Sequence, residues 1–376
     1  MMNQVNEQRL SGRLGSADIR ELKTLALSGV PSMLNREKQL FCYKLRRTET
    51  GLVQEGLSRR YTMMTLLGLQ ECANRGMQLP ADIKQIFANM LLDTSWIDNL
   101  GDLGTLLWTC AALSPERVRD VSSSLEVEGA LGRFPEASEG RTTEIAWFLS
   151  GLAHVHLAGL DDACFEAIAA KTFELLVNNQ GAHGFFRHLA RRATLAGVVR
   201  GRIGSFADQV YPIYALTQFG RAYGVPSAMQ RAKACADAIC RAQGELGQWW
   251  WHYDASTGRV AQRYPVYSVH QDGMAPMALF ALGEAMKLDF SAPILKGLAW
   301  IYGDNELNRD LRDESAAVIW RSIYRPKDWK KYRDEIGEYV SPGMASKPVE
   351  NLTILFECRP YHLGWLLYAF AGRDGD

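Results

Sequence analysis

Little in this chain is lopsided. Lysine and arginine number 42, aspartate and glutamate 42, so the formal charge is zero. That removes the global attraction to nucleic acid or anionic membrane that a basic chain carries, and any charge recognition has to be local. The seven cysteines (Cys42, Cys72, Cys110, Cys164, Cys235, Cys240 and Cys358) are odd in number and form no CxxC pair. Neither a disulfide framework nor a zinc ribbon is indicated, and most sit in apolar helical runs as small hydrophobes. The N-terminal stretch MMNQVNEQRLSGRLGSADIR lacks the apolar core of a secretion signal. No uncharged apolar run reaches the length that spans a bilayer. A cytoplasmic location is expected by default, with no nucleic-acid partner and no integral membrane association. P-loop, GxGxxG, HExxH and GxSxG motifs are missing, so no cofactor and no metal are expected. Convincing strand alternation is also scarce, apart from short ribbons such as RVAQRYPVYSV from Arg259.

Helix is what remains. Six segments are apolar, rich in Ala, Gly and Leu, and almost free of charge. They begin near Tyr61, Leu103, Ile145, Tyr211, Met274 and Tyr361. A helix apolar on nearly every face is a buried helix, and small residues let neighbouring backbones come close. Between them lie amphipathic segments beginning at Ala81, Pro115, Asp161, Pro226, Ala292 and Asp313. Pro115 and Pro226 suit first-turn positions. Six buried and six half-exposed helices in alternation predict an all-α (α/α)6 toroid of six helical hairpins with long loops on one face. At 376 residues the chain exceeds the usual single-core size, but a ring wraps one continuous core. One domain over residues 1–376 is expected, with residues 1–35 as a candidate peripheral segment.

A degenerate repeat supports the ring. Glu128–Phe134, Gln180–Phe186 and Gln243–Trp249 share the pattern (Q/E)xxxGx(F/W), each after an outer helix and before an inner one. Glycine at the fifth place suits a chain leaving a helix in the left-handed conformation. This pattern resembles the QW motif of terpenoid cyclases. The wider layout is similar to the toroid of protein prenyltransferase β subunits, and in architecture to six-hairpin glycosidases and polysaccharide lyases. The resemblance implies the fold more than the activity, and a structural role for Gln180, Gly184, Gln243, Gly247 and Trp249.

In such a ring the inner-helix N-termini surround the mouth of a funnel, each adding partial positive charge. The polar residues at those entries are Glu55, Arg59, Arg60 and Tyr61; Asp98 and Asp102; Arg141 and Glu144; Asp208 and Tyr211; His270, Gln271 and Asp272; Arg359, Tyr361 and His362. Helix capping explains Asp98, Asp102 and Thr142 most simply. It does not explain Arg60, Arg141 and Arg359, because a cation opposes the dipole there; they point to an anionic ligand or to paired carboxylates. Acid/base chemistry is assigned to Asp208, Tyr211, His270, Asp272 and His362. Substrate binding is assigned to Glu55, Arg60, Tyr61, Glu144, Trp250, His252, Tyr264, Tyr267, Arg359 and Tyr361. Four of these come from Gly247–Asp272, which packs three consecutive Trp, three Tyr and two His into 26 residues; an aromatic loop of that length suits stacking on sugar rings or cradling a hydrocarbon. The arginine-rich connection Gly184–Asp208 would add a local positive field.

The resemblance to prenyltransferases also implies a zinc test. Asp272-Gly273-Met274 and Tyr361-His362 match the Asp and His positions, but Met stands where the thiolate belongs. The DxDD acid of class II terpenoid cyclases is absent, and Asp161-Asp162 lacks its spacing. The leading expectation is a carbohydrate-active enzyme, a lyase, hydrolase or epimerase acting on a polysaccharide or lipid-linked sugar, anionic in character, in the central funnel. An isoprenoid cyclase or prenyltransferase-like enzyme is the alternative, and a non-catalytic binding toroid the third. A closed apolar funnel would favour isoprenoids, an open arginine-lined one anionic glycans, and one filled by side chains a scaffold.

Overall fold

Helices apolar on every side need neighbours all round, whereas those with one apolar stripe need a single packed face. Two concentric rings meet both demands in the computed structural model, which describes residues 14–160, 163–190, 201–326 and 351–373. The chain alternates outer and inner helices. The outer set is α1 (Ser16–Met33), α3 (Ile83–Met90), α5 (Val118–Ser124), α7 (Ala163–Val177), α9 (Pro226–Arg241) and α11 (Ser291–Ile301). The inner set is α2 (Arg59–Asn74), α4 (Leu100–Leu113), α6 (Thr142–Leu157), α8 (Ala207–Tyr223), α10 (Ala275–Met286) and α12 (Pro360–Phe370). Each inner helix packs on the next, and α12 returns to pack on both α2 and α1, which closes the circle. The (α/α)6 toroid is therefore the fold. Among the described residues no helix is long and apolar enough to cross a membrane.

Small residues set the tight inner spacing. A Cβ on Gly68 of α2 would lie 2.0 Å from the Gly364 carbonyl oxygen of α12, and one on Gly104 of α4 would lie 2.3 Å from the Phe148 Cα of α6. Those neighbours are backbone, so they cannot rotate aside. Gly104→Ala is expected to cost about 1–3 kcal/mol through overpacking, read as a lower urea midpoint at unchanged slope.

The repeat acts as a latch in two of its three copies. Gln180 donates through Nε2 to the Gly184 carbonyl at 3.0 Å and to the Arg231 carbonyl of α9 at 2.9 Å. Gln243 does the same to Gly247 at 2.7 Å and to Pro293 of α11 at 2.9 Å. Gly184 and Gly247 both have φ of +93°, and a Cβ on either would strike a carbonyl of the next outer helix. Each aromatic that follows is fully buried. Its backbone is clasped by a glutamine at the next inner entry: Phe186 N–H donates to Gln209 at 2.8 Å, and Trp249 N–H to Gln271 at 3.2 Å. The copy at Glu128–Phe134 differs, since Gly132 sits inside a short helix, Ala130–Arg133, and makes no such turn.

Three sequence expectations change here. The segment from Asp313 is not an outer helix but a small hairpin, Arg312–Asp313 against Val318–Ile319, followed by a further strand. The sixth outer helix is α1, so residues 16–33 are part of the ring and not a peripheral segment. Strands are also more frequent than expected, all in loops on the mouth side. Besides that hairpin and the short Leu34–Asn35 strand, they include β1 (Leu40–Thr48), β2 (Gly51–Leu57), β3 (Ile203–Ser205), β4 (His252–Asp254), β5 (Arg259–Gln262), β6 (Val266–Tyr267), β7 (Ser322–Tyr324), β8 (Thr353–Leu355) and β9 (Glu357–Cys358). β1 carries β2 and β9 on its two sides, β4 lies between β3 and β5, and β7 lies between β6 and β8. These ribbons position side chains over the inner-helix N-termini.

Candidate active site

The first residues of α2, α4 and α6 build one charged cluster. Arg60 donates through Nε to Asp102 Oδ1 at 2.5 Å and through Nη1 to Glu144 Oε1 at 3.3 Å. Its Nη2 reaches Asn99 Oδ1 at 2.8 Å, and its guanidinium lies 4.6 Å over the Trp147 ring. The cap of α4 is Asn99, whose side chain accepts from Asp102 N–H. Asp102 is thus not the cap that its position suggested, and its carboxylate is turned to Arg60. Thr142 does not cap either; its hydroxyl donates to the Arg187 carbonyl. Glu144 fits where Gly101 leaves space, since a Cβ there would strike its carboxylate. Burial holds the Glu144 carboxyl above the usual carboxylate range, Arg60 pulls it down, and Asp102 pushes it up again. All three charged side chains keep part of their surface open, 25 % for Arg60, 13 % for Asp102 and 19 % for Glu144. A carboxyl that is desolvated yet reachable suits proton transfer.

Cations and phenols form the adjoining wall. Arg359, just before α12, donates to Tyr61 Oη at 2.9 Å and to Glu357 at 3.2 Å. Arg321, just before β7, meets the same Glu357 at 3.0 Å and lies 4.6 Å over the Tyr267 ring. Lys44 of β1 is a third cation on Glu357, at 3.6 Å. Tyr61 stacks on Tyr43 at 5.4 Å and leans on Tyr361 at 4.5 Å. Two arginines sharing one carboxylate leave positive charge to offer an anion.

Tyr211 and His270 sit deeper. The Tyr211 hydroxyl accepts from Trp365 Nε1 at 3.0 Å while its ring meets Trp147 edge-on at 4.9 Å. Burial drives its phenol far above the ordinary range, so it is a neutral hydrogen-bonding group and not a base. His270 opens a π-turn, His270–Met274, that leads into α10. Its ring lies 4.5 Å from Phe206 and 5.1 Å from Tyr267. Burial, then Arg321, holds it well below its usual pKa.

Other predicted residues are occupied elsewhere. Asp272 and His362 are sealed in the wall between α10 and α12, with His362 Nε2 at 2.8 Å from both carboxylate oxygens. Their side chains are 0 % and 3 % exposed, so a substrate does not reach them and the catalytic assignment gives way to a structural one. Asp208 is fully buried too. It accepts from Thr143 Oγ at 2.7 Å and from Ser205 N–H at 2.8 Å, and it holds His188 Nδ1 at 3.0 Å. Burial would raise its pKa, but His188, Thr143 and Ser205 outweigh it and keep it ionised. It orients the half-exposed His188, which the sequence marks only as part of a basic connection; residues 191–200 of that connection, like Asp161 and Asp162, lie outside the described residues. Trp250 donates to the Ala242 carbonyl at the end of α9, and Tyr264 to Glu306 beyond α11. Both are thus anchored beside the ends of outer helices. Glu55 lies on β2 and pairs with Lys44 and Arg46. His252 on β4 meets Gln262 at 2.7 Å. Arg141 is solvated beside Glu139.

The predicted residues that do converge are Arg60, Tyr61, Glu144, Tyr211, Tyr267, His270, Arg359 and Tyr361. Arg321, Glu357 and Tyr43 join them unannounced. Among the described residues no group of three His, Cys, Asp or Glu side chains is gathered to hold a metal.

No family model matches the chain, and no curated protein matches it. Solved structures do. An unsaturated glucuronyl hydrolase specific for heparin shares 15 % identity at a TM-score of 0.56, over 94 % of this chain and 96 % of that one. A glycosyl hydrolase family 88 protein from Bacteroides vulgatus shares 11 % identity at 0.62, over 96 % and 99 %. The unsaturated glucuronyl hydrolase from Bacillus sp. GL1, responsible for the degradation of glycosaminoglycan, shares 14 % at 0.59, over 94 % and 95 %. At these identities the likeness is one of fold, and it is to six-hairpin glycosidases.

Proposed function

We propose that the chain is a carbohydrate-active enzyme, a single toroid domain that hydrolyses an anionic oligosaccharide ending in an unsaturated uronic acid. One observation carries the reading: Asp102 and Glu144 share the Arg60 guanidinium beside a wall where Arg321 and Arg359 share Glu357. Acid and anion receptor therefore stand together in one mouth. The glucuronyl hydrolases of like fold supply the substrate class.

An unsaturated uronide is an enol ether conjugated to a carboxylate. Protonation at C4 leaves an oxocarbenium shared by C5 and the ring oxygen. Water adds at C5, and the hemiketal opens to release the next sugar. Glu144 donates the C4 proton and, as carboxylate, takes one back from the attacking water. Asp102 keeps Arg60 in place, and Arg359, Arg321, Tyr61, Tyr361 and Tyr267 receive the uronate. Asp208 positions His188 at the rim, while Tyr211 and His270 form the floor. A charged mouth of this kind does not suit an isoprenoid chain. All seven cysteines are free thiols, which fits a cytoplasmic location.

The test is to mix the purified protein with lyase digests of heparin, hyaluronan and other uronic-acid polysaccharides. The conjugated double bond absorbs in the ultraviolet, and hydrolysis removes that absorbance. A signal that persists in every digest overturns the reading. Arg359→Met is expected to raise KM for an active uronide roughly ten-fold, the order of one charge-assisted contact, with a smaller change in kcat.

A further inference from the structure

The far end of the ring, opposite the mouth, holds a cavity. Inner helices run away from the mouth, so their C-terminal turns converge there. They enclose about 390 Å3 lined by α2, α6, α8, α10 and α12. At its base the Tyr214 hydroxyl lies 2.9 Å from His154 Nε2 and 2.5 Å from the Tyr368 hydroxyl. Burial pushes His154 down to about 3, so the ring is neutral and the trio is a set of uncharged hydrogen-bonding groups. His154 and Tyr368 are only partly buried although they lie between the helices; both line the cavity.

Arg75, Arg221 and Arg373 stand around this base, with Glu71 and Glu284. Arg373 is spent on the fold: it pairs with Glu284, donates to the Ala369 carbonyl at 3.2 Å and covers the Phe280 ring at 3.9 Å. Burial holds the Glu71 carboxyl above the ordinary range, Arg75 pulling the other way, which weakens it as a counter-charge. Among the described residues the Arg221 side chain hydrogen-bonds only Gln218 Oε1, at 3.1 Å, and neither Arg75 nor Arg221 has a carboxylate within ion-pair distance. Among the described residues neither side chain donates to a helix-end carbonyl, which is the usual employment of arginine at a last turn. Two guanidinium groups at the C-terminal ends of opposite inner helices, α2 and α8, thus face a cavity floored by phenols and a neutral imidazole.

The cavity is separate from the mouth. Trp108 stacks on His154 at 4.7 Å and on Trp365 at 5.6 Å. Trp365 in turn holds Tyr211, and Trp108, Trp365 and Tyr211 are all buried. This aromatic column fills the axis between the two ends, so binding at the far end does not rest on the proposed reaction.

We propose that the far-end cavity binds a monosaccharide-sized anion, a sugar bearing a carboxylate or phosphate group. Arg75 and Arg221 meet the anionic group, and the partly exposed Tyr368 and His154, held by the buried Tyr214 hydroxyl, serve the sugar hydroxyls. The volume admits a ligand of that size, and guanidinium recognises both oxyanions. Calorimetric titration of the full chain with D-glucuronate, glucose 6-phosphate and neutral D-glucose tests it, the first two arms separating carboxylate from phosphate. Saturable binding of at least one anion in the millimolar range or below is expected, with glucose at least ten-fold weaker. Arg75→Gln and Arg221→Gln, both at exposed positions, are expected to weaken the anion at least ten-fold, whereas Arg359→Gln at the mouth leaves it unchanged. No saturable heat from either anion overturns the proposal. So does equal binding by the far-end variants, or a loss confined to Arg359→Gln, which would put the anion in the mouth.

Discussion

Glu144→Gln is expected to lower kcat on an unsaturated uronide by about 10²–10⁴-fold, the usual contribution of a positioned acid, while the variant stays folded. Glutamine keeps the shape and a hydrogen-bond acceptor for Arg60 but has no proton to give. The fold should tolerate it because Asp102 still pairs with the guanidinium at 2.5 Å. The pH profile supplies an independent check. Only the protonated carboxyl is the donor, so activity falls as pH rises through the Glu144 pKa. Burial, with Asp102 adding to it, places that limb above the range of an ordinary glutamate. Asp102→Asn removes the neighbouring charge and moves the limb towards lower pH. A Glu144→Gln enzyme with undiminished turnover would move the chemistry to another group, with His188 the first to try.

The buried pair in the wall supports a second expectation, on stability. His362→Ala leaves the Asp272 carboxylate without the imidazole that bridges both its oxygens at full burial, and stranding one half of a buried ion pair costs about 3–5 kcal/mol. Chemical denaturation reads this directly. The pH dependence has a definite sign. Burial alone would lower the His362 pKa, but Asp272 outweighs it and lifts the imidazolium to about 10. A group raised in the folded state contributes fully below its unfolded value near 6.5. Its contribution then drains away as pH climbs towards 10. Wild-type stability should decline across that window, and Asp272→Asn should flatten the decline. A variant as stable as the parent at neutral pH would show the pair to be dispensable.

Inner helices are legible in the sequence because an all-round apolar surface admits one interpretation. The sixth outer helix is not. DESAAVIWRSIY opens like a capped helix, and its apolar residues Val318, Ile319, Trp320 and Ile323 fit either period over so short a run. The turn inside it uses Ala317 at φ +52°, so no glycine or asparagine announces a hairpin. The same ambiguity hides Arg321, which lies within that segment. The hairpin of β1 and β2 does carry a signal, Gly51 at φ +126° directly after the Glu49-Thr50 turn, and pairing across it would bring Tyr43 to the mouth. Burial explains the other shortfall. Asp272 and His362 have the residue types of an acid/base couple, and nothing in a one-dimensional pattern distinguishes a sealed pair from an open one. Asp102 is hidden for a related reason: Asp98, Asn99 and Asp102 can each cap α4, and only coordinates show that Asn99 does.

Because α1 and α12 come from opposite ends of the described chain yet touch, the molecule cannot be assembled hairpin by hairpin with a fixed gain each time. An arc of five hairpins presents two bare apolar flanks to water; the sixth covers both at once. Folding should therefore be all-or-none in hairpin number. A ribosome-bound chain lacking α12 would be a client for chaperones, and rejoining the ends while cutting an outer loop should yield a permuted protein with the same ring.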